Sequence, residues 1–225
     1  MTGKLRVVHY INQAFAGIGG EEHADRPLEE HKGIIGAARA AQAALGDDGE
    51  IVATIVCGDN YAVEEPEALE GARDALQRHR PDLVLAGPAF DAGRYGVACG
   101  DVCRIAGELG IPAVTGMHPE NPGRVGKNRQ TYAVPTGAST VEMTAALGKM
   151  VLLGRKMVAG VELGSAAEEG YLPRGVRKVV RTDKTGLERA LQMLKARLED
   201  RSFKSEVGLS QQQYEQVPPA PPVRN

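Results

Sequence analysis

The sequence of 225 residues contains no tryptophan and only three cysteines, Cys57, Cys99 and Cys103. Because three is an odd number and the chain is long enough to bury a core of its own, we expect free thiols and no disulfide framework. A basic excess is also absent, since 27 Lys and Arg residues face 29 Asp and Glu residues. Proteins that bind a phosphate backbone need a cationic surface, so we expect no nucleic-acid partner.

Long hydrophobic runs are missing as well. The longest apolar runs, such as residues 51–57, fall far below the roughly 18 residues that cross a bilayer. Residues 1–6 lead directly into a strand pattern, without the apolar segment and cleavage site of a secretory signal. We therefore expect no membrane association and a cytoplasmic location.

Glycine is abundant, with 28 residues in a composition that is 42% hydrophobic and 25% charged, which indicates a globular protein with many tight turns. Apolar runs and helical spacings alternate along the first half of the chain. Predicted strands cover residues 5–11, 51–57, 81–88 and 111–116, and predicted helices cover residues 33–45, 64–80 and 95–109. This order predicts an α/β fold: a doubly wound, mostly parallel, Rossmann-like sheet between two helical layers.

The remaining chain predicts a strand at residues 130–135 and a helix at residues 139–158 that Gly148 or Gly154 can interrupt. A strand pattern at residues 176–181 and an amphipathic helix at residues 184–200 follow. We predict an α/β domain over residues 1–201 with a C-terminal helix. Residues 202–225 are polar and Pro-rich, and we predict an extended tail that is either a plain terminus or a partner-docking arm.

Gly-rich polar loops follow the first four predicted strands. In open parallel sheets, ligands bind at the carboxyl ends of the strands, where such loops converge. The candidate substrate-binding residues in these loops are Asn12, Gly19, Gly20, Glu21, Glu22, Asp59, Asn60, Arg94, Tyr95 and Asn121.

The first of these loops offers two kinds of polar group. The glycines of residues 17–20 are candidates to present backbone donors to a carboxylate or phosphate, although they match neither a dinucleotide-binding nor a Walker motif. Glu21, Glu22, His23 and Asp25 resemble metal ligands, but no helical pair or second cluster accompanies them. A solvated acidic face is the better interpretation, and we expect no metal site.

The third loop leads into a predicted helix that carries Arg94, Cys99 and Cys103. A guanidinium can bind a carboxylate through two parallel hydrogen bonds, so Arg94 is a candidate for a substrate carboxylate, with a surface ion pair as the alternative. Cys99 lies near the start of the helix, where the helix dipole lowers a thiol pKa. A reactive thiol is therefore one hypothesis, and two small buried cysteines are the more common arrangement.

With these loops laid out, the sequence resembles the selenoprotein B subunit of the glycine, sarcosine and betaine reductases. The resemblance extends over roughly residues 4–181 and matches the first half of family members. The blocks that carry it are residues 7–13, 15–22, 57–61, 86–90, 92–100, 110–117, 120–123 and 168–171.

The resemblance implies a family protein of two α/β halves, the second of which carries a selenocysteine or a cysteine in a redox-type motif. It further implies that a partner subunit with a pyruvoyl group captures the substrate amine while the selenolate attacks the α-carbon, which cleaves the C–N bond reductively. Neither Cys99 nor Cys103 matches the selenocysteine position. Two departures from the family pattern are His23, where a lysine is expected, and His118 after Met117, where a tyrosine is common.

We therefore expect a hetero-oligomeric reductase subunit that is not active alone and that helps to bind a small amino carboxylate. The resemblance implies no cofactor on this chain, with the pyruvoyl group and the selenocysteine or cysteine on partner subunits. Charge complementarity assigns Arg94 to the substrate carboxylate and Glu21 or Glu22 to the cationic nitrogen. The alternatives are a non-catalytic scaffold or binding subunit, a repurposed component of sulfur or selenium transfer, and a stand-alone thiol enzyme using Cys99.

Overall fold

A six-stranded sheet organises the first part of the chain. The computed structural model describes residues 3–124, 131–175 and 183–203, and within them the strands join in the order β2-β3-β1-β4-β5-β6. All neighbouring strands are parallel except β2, which runs antiparallel to β3. The strands are β1 (Leu5–Asn12), β2 (Glu29–Lys32), β3 (Gly49–Cys57), β4 (Leu83–Phe90), β5 (Ala113–Met117) and β6 (Tyr132–Pro135).

Helices connect the successive parallel strands as far as β5, as crossovers between such strands require. The apolar stripes of four of them pack on the sheet, and the two faces of the sheet carry separate cores. The helices are α1 (Ala38–Leu45), α2 (Asp59–Glu64), α3 (Pro66–His79), α4 (Gly93–Glu108), α5 (Met143–Val158), α6 (Ala166–Glu169) and α7 (Gly186–Leu198).

Alternate residues of the central strands point to opposite cores. Val7 and Leu85 lie in the core beneath α1 and α5, whereas Tyr10 and Val84 lie in the core beneath α3 and α4. The central strands β1 and β4 are buried on both faces, and this explains why their sequences read as continuous apolar runs. The predicted three-layer, doubly wound α/β fold with a C-terminal helix is confirmed.

Strand β2 was not predicted, because its sequence Glu29–Lys32 is entirely polar. It forms an edge of the sheet and pairs through its backbone, with Glu30 opposite Ile55 of β3. Main-chain hydrogen bonds at an edge place little demand on side-chain type, and charged side chains protect an edge strand from pairing with other chains. Charged residues are therefore compatible with this strand.

Two predicted helices differ in detail from the observed ones. The predicted helix at residues 64–80 is α3, which begins at Pro66 because Glu65 before it is extended, and the separate helix α2 (Asp59–Glu64) lies where a loop was predicted. The predicted helix at residues 139–158 is one α-helix from Met143 preceded by a 3-10 turn, and neither of its suspected glycines interrupts it. Gly148 faces open space, whereas Gly154 allows close contact with Leu83.

The chain divides into two compact units, Met1–Val176 and Arg177–Asn225. The first contains the whole described sheet, and the second contains α7. The strand predicted at residues 176–181 lies outside the described residues, as does most of the tail predicted at residues 202–225. Among the helices of the described ranges, none combines the length and hydropathy that a membrane crossing requires.

Candidate functional site

The predicted site residues lie at the carboxyl ends of β1, β3, β4 and β5, in loops and at the starts of the helices that follow. We call this end of the strands the edge of the site. These strands are mutually parallel, so their carboxyl ends share that edge. Side chains from different loops contact each other there: Asn12 bonds Asp59, and Arg94 bonds both Glu21 and Asn60. The prediction that the first three loops converge is confirmed by these contacts.

A buried polar cluster of Asn12, Gln13 and Asp59 lies at the base of these loops. Asn12 ends β1 and donates from Nδ2 to Asp59 Oδ2 at 3.1 Å, while its Oδ1 accepts from the backbone N–H of Phe15 at 2.9 Å. Gln13 donates from Nε2 to the same Asp59 oxygen at 3.4 Å and accepts from the Asp59 backbone N–H at 3.1 Å. Asn12 and Gln13 are 5% and 2% exposed, so they fix the Asp59 carboxyl from below.

The other carboxyl oxygen of Asp59 is in a different situation. Oδ1 is buried, yet it accepts no hydrogen bond from any residue that the structure describes. Burial raises the pKa of Asp59, while the amides of Asn12 and Gln13 and the charge of Arg94 oppose the rise. This half-buried carboxyl thus has one oxygen that has lost its hydration without gaining a donor from the described residues.

Arg94 forms the rim above this cluster. It follows β4 at the start of α4 and donates to Glu21 Oε1 and to Asn60 Oδ1. Asn60 in turn donates to Asp25 Oδ1 at 3.0 Å, which joins the first and second loops. The side chains of Arg94 and Glu21 are 45% and 74% exposed, so the ion pair is open to solvent and to exchange.

The glycines of the first loop are largely occupied by the loop itself. The backbone N–H groups of Gly17 and Ile18 donate to carbonyls within the loop, and that of Gly20 donates to Glu22 Oε1 at 2.9 Å. This bond is the main reason that the pKa of Glu22 is lowered. The expected array of free backbone donors is thus not what the structure shows, because three of these donors already have partners.

Four aromatic side chains pack together beneath the loops: Tyr10, Phe15, Phe90 and Tyr95. The ring centroids of Phe15 and Tyr95 lie 5.6 Å apart, and those of Tyr10 and Tyr95 lie 6.3 Å apart. Tyr95 is only 1% exposed, and its hydroxyl lies near the backbone of Asn12 and the Cys99 thiol without a hydrogen bond of standard geometry to the described residues. The structure therefore places Tyr95 in the floor of the site.

Asn121 lies in the fourth loop and is 4% exposed. Its Nδ2 donates to the carbonyls of Phe90 and Ala92 at 3.0 and 3.1 Å, and its Oδ1 accepts from the Gly123 backbone at 2.8 Å. A Cβ on Gly96 would come within 1.9 Å of this oxygen, so α4 needs glycine there. The side chain joins the end of β4 to the fourth loop and is fully engaged in the fold.

The three thiols are buried and lie under the site. Burial raises the pKa of Cys57 to about 12, although the Tyr10 hydroxyl bonds it, and burial also raises the pKa of Cys99 well above its usual value. The lowering that the helix dipole predicts for Cys99 is not found, because Cys99 faces the core under α4 and is 0% exposed. Desolvation of a thiolate exceeds the effect of the dipole at such a position.

Comparison with known proteins agrees with the loop pattern. The sequence profile of the family described as glycine/sarcosine/betaine reductase selenoprotein B matches residues 4–225. The chain belongs to this family. No solved structure gives a significant match.

Three relatives with distinct names illustrate the family. The chain is 42% identical to the glycine reductase complex component B subunit gamma of Carboxydothermus hydrogenoformans, over 99% of this chain and 51% of that protein. It is 42% identical to the sarcosine reductase complex component B subunit beta of Peptoclostridium acidaminophilum, over 99% and 51% respectively. The betaine reductase complex component B subunit beta of the same organism is 38% identical, over 90% and 47%. The chain thus spans about half the length of these relatives.

The two histidines that depart from the expected selenoprotein B pattern occupy turns of the site loops. His23 packs its ring against Gly19, where a Cβ would come within 2.2 Å of the imidazole. His118 follows β5, donates its backbone N–H to the Phe90 carbonyl at 2.7 Å, and accepts from the Glu120 backbone through Nδ1 at 3.3 Å. In the described part of the chain, neither imidazole forms a hydrogen bond with Arg94 or Asp59.

One residue of the polar cluster, Gln13, is not among the predicted site residues, although it holds Asp59 at both its backbone and its side chain. The available signal was its position directly after Asn12 at the end of a buried strand. A strand-end residue points either toward or away from the ligand edge, and the sequence does not specify which.

Proposed function

We propose that this chain is part of a component B subunit of a hetero-oligomeric amino-acid reductase and that it binds a small amino carboxylate at the Arg94 edge of the sheet. The nucleophile, selenocysteine or cysteine, and the pyruvoyl group belong to partner polypeptides. Membership of the selenoprotein B family supports the subunit role, and the names of the relatives support glycine, sarcosine or betaine as the substrate class. The observation that carries the binding role is the solvent-open ion pair between Arg94 and Glu21.

An amino acid carries both charges of this ion pair. Its carboxylate can replace Glu21 on the Arg94 guanidinium, whose planar fork matches a carboxylate through two parallel hydrogen bonds. Its cationic nitrogen then lies beside the displaced Glu21 and close to Asp59. Because the exposed Glu21 side chain regains hydration when it leaves, the exchange costs little, as expected for a half-exposed ion pair.

The chemistry of C–N cleavage requires groups other than those of this chain. A pyruvoyl group supplies an electrophilic carbonyl for the amine, and the buried cysteines with raised pKa values are poor nucleophiles. The residues of this chain therefore bind and orient the substrate. Arg94 fixes the carboxylate, and the bonds of Asn12 and Gln13 to Asp59 hold the first loop against the loop of Asn60, which bonds Arg94.

Calorimetry with the protein purified from its own host, together with its co-purifying subunits, tests this proposal. We expect glycine, sarcosine or betaine to bind, and Arg94→Ala to weaken that binding by about 10- to 100-fold, since a hydrogen bond to a charged group contributes about 1.5–3 kcal/mol. Arg94→Lys should retain the charge and lose the fork, with an intermediate effect.

A matched control is Arg73→Ala. Arg73 forms an exposed ion pair with Glu108 between α3 and α4. Its side chain is 37% exposed, a fraction similar to the 45% of Arg94. We expect Arg73→Ala to leave ligand affinity unchanged. If Arg94→Ala binds as tightly as the parent, Arg94 does not hold the carboxylate. If none of the three amines binds to the assembled protein, a non-catalytic scaffold role replaces the binding role.

A further inference from the structure

Asp59 contains the unsatisfied oxygen at the centre of the proposed site. Its Oδ2 is held by Asn12 and Gln13, whereas its Oδ1 is buried and takes no donor from the described parts of the chain. Buried carboxylate oxygens in folded proteins nearly always have a donor, so an oxygen without one points to a group that is brought in from outside.

The Asp59 carboxyl cannot easily rotate to find a donor within the protein. Gln13 fixes its backbone N–H and Asn12 fixes Oδ2, so both ends of the residue are held. The nearest cation, Arg94, is close enough to lower the pKa of Asp59, but its guanidinium donates to Glu21 and Asn60. The buried Tyr95 hydroxyl is near enough for the Asp59 charge to raise the pKa of Tyr95, but it forms no hydrogen bond with the described residues. Within the described residues, the missing donor is therefore neither Arg94, nor the amides of Asn12 and Gln13, nor the Tyr95 hydroxyl.

The donor that fits this oxygen is an N–H of an ammonium group. Arg94 bonds Asn60, the residue after Asp59, and its charge acts on the Asp59 carboxyl, so the guanidinium and the carboxyl are neighbours. A ligand with a carboxylate on Arg94 thus has its nitrogen on the Asp59 side. A primary or secondary ammonium carries the N–H that Oδ1 lacks, whereas a quaternary ammonium carries none.

The four packed aromatic residues beneath the loops do not form a site for a quaternary ammonium. Such cations are recognised by open aromatic faces that surround the methyl groups. Here Phe15 packs on Tyr95 and Phe90 at 5.6 and 6.1 Å between ring centroids, and Tyr95 is 1% exposed. These faces are covered by one another.

We propose that Asp59 is a specificity-determining residue, whose Oδ1 accepts an N–H from the substrate and selects primary and secondary ammonium carboxylates over quaternary ones. This inference rests on the proposed function, because it assumes that the carboxylate binds at Arg94. It goes beyond that function by excluding one of the three substrate classes that appear in the names of the relatives.

The test is calorimetric titration of the assembled protein with glycine, sarcosine and betaine, which are primary, secondary and quaternary amines. We expect the first two to bind at least about 10-fold more tightly than betaine, the discrimination that one charged hydrogen bond supplies. Asp59→Asn keeps the shape and the acceptor for Asn12 but turns the free oxygen into a donor. We expect this variant to bind glycine and sarcosine about 10- to 100-fold more weakly and betaine unchanged.

Asp82→Asn is the matched control, because Asp82 also accepts a backbone N–H, from Arg6 at 2.8 Å, before β4 begins and away from the site. It should leave all three affinities unchanged. Equal affinity for glycine and betaine in the parent protein would overturn the inference while leaving Arg94 binding intact. No change in any affinity of Asp59→Asn would also overturn the inference and indicate that an internal water satisfies Oδ1. A uniform loss for all three ligands would overturn it as well. Absence of binding by all three would overturn the proposed function, and the inference with it.

Discussion

Asn121 provides the sharpest test of how the structure assigns roles at this edge. The sequence predicts it as a substrate-binding residue, whereas in the structure its side chain makes three hydrogen bonds within the fold. Its Nδ2 donates to Phe90 and Ala92 carbonyls at 3.0 and 3.1 Å, and its Oδ1 accepts from the Gly123 backbone at 2.8 Å. Asn121→Ala removes all three bonds at a position that is 4% exposed.

The magnitude follows from these bonds. A hydrogen bond contributes about 0.5–1.5 kcal/mol net, so three of them amount to about 3 kcal/mol. The carbonyls of Phe90 and Ala92 each retain a backbone N–H donor, so little stability is lost beyond these three bonds. For a domain of this size, about 1 kcal/mol shifts the melting temperature by 2–4 °C. We expect Asn121→Ala to lower it by about 6–12 °C.

Thermal and denaturant unfolding followed by circular dichroism measures this change. Asn121→Asp should be at least as unstable as Asn121→Ala, because a carboxylate cannot donate to the two carbonyls and faces them with like charge. Asn60→Ala is the control, since its bonds lie at the solvent-exposed rim, and its effect should remain below about 1 kcal/mol. A normal melting temperature for Asn121→Ala together with weaker ligand binding would refute the structural role.

Three further predictions concern a buried histidine, the thiols and two glycines of α5. Burial lowers the pKa of His9 to about 4, below its value near 6.5 in an unfolded chain. As the pH falls from about 6.5 to 4, the unfolded chain binds the proton first, so the fold loses about 3 kcal/mol, and denaturant midpoints should show a shallower pH dependence in His9→Asn. The three buried thiols should react slowly with a disulfide reagent at pH 7.5 and fully in denaturant; one fast thiol in the native protein would revive the thiol-enzyme alternative. Within α5, Gly148→Ala, which meets open space, should stabilise by about 0.5–1 kcal/mol. Gly154→Ala, which meets Leu83 at 2.6 Å, should destabilise by about 1–3 kcal/mol, and equal effects in unfolding experiments would contradict this reading.

Much of the fold could be predicted from periodicity because the buried strands are strongly patterned. Strands β1 and β3 are continuous apolar runs between glycine-rich turns, and their type, order and approximate bounds agree with the prediction. Strand β2 could not be found, because an edge strand formed by Glu29–Lys32 depends on backbone pairing with β3 and leaves no apolar signature.

The convergence of the candidate residues was also predictable, but the contacts between them were not. Parallel topology places Asn12, Asp59 and Arg94 at one edge whatever their side chains do. Residue type alone cannot show that Arg94 and Glu21 pair with each other, because their contact joins two loops separated by 73 residues. It also cannot show which oxygen of Asp59 is satisfied. Such distinctions depend on tertiary contacts rather than on local pattern.

The central claim is that this chain binds and orients a substrate whose chemistry is completed by other subunits. Intact-complex mass spectrometry of the tagged protein, purified from its own host, tests the claim most directly. The account predicts a co-purifying polypeptide with a selenocysteine or redox-cysteine motif and a subunit whose mass shows the cleavage that forms a pyruvoyl group. Recovery of only a homo-oligomer of this chain would contradict the account.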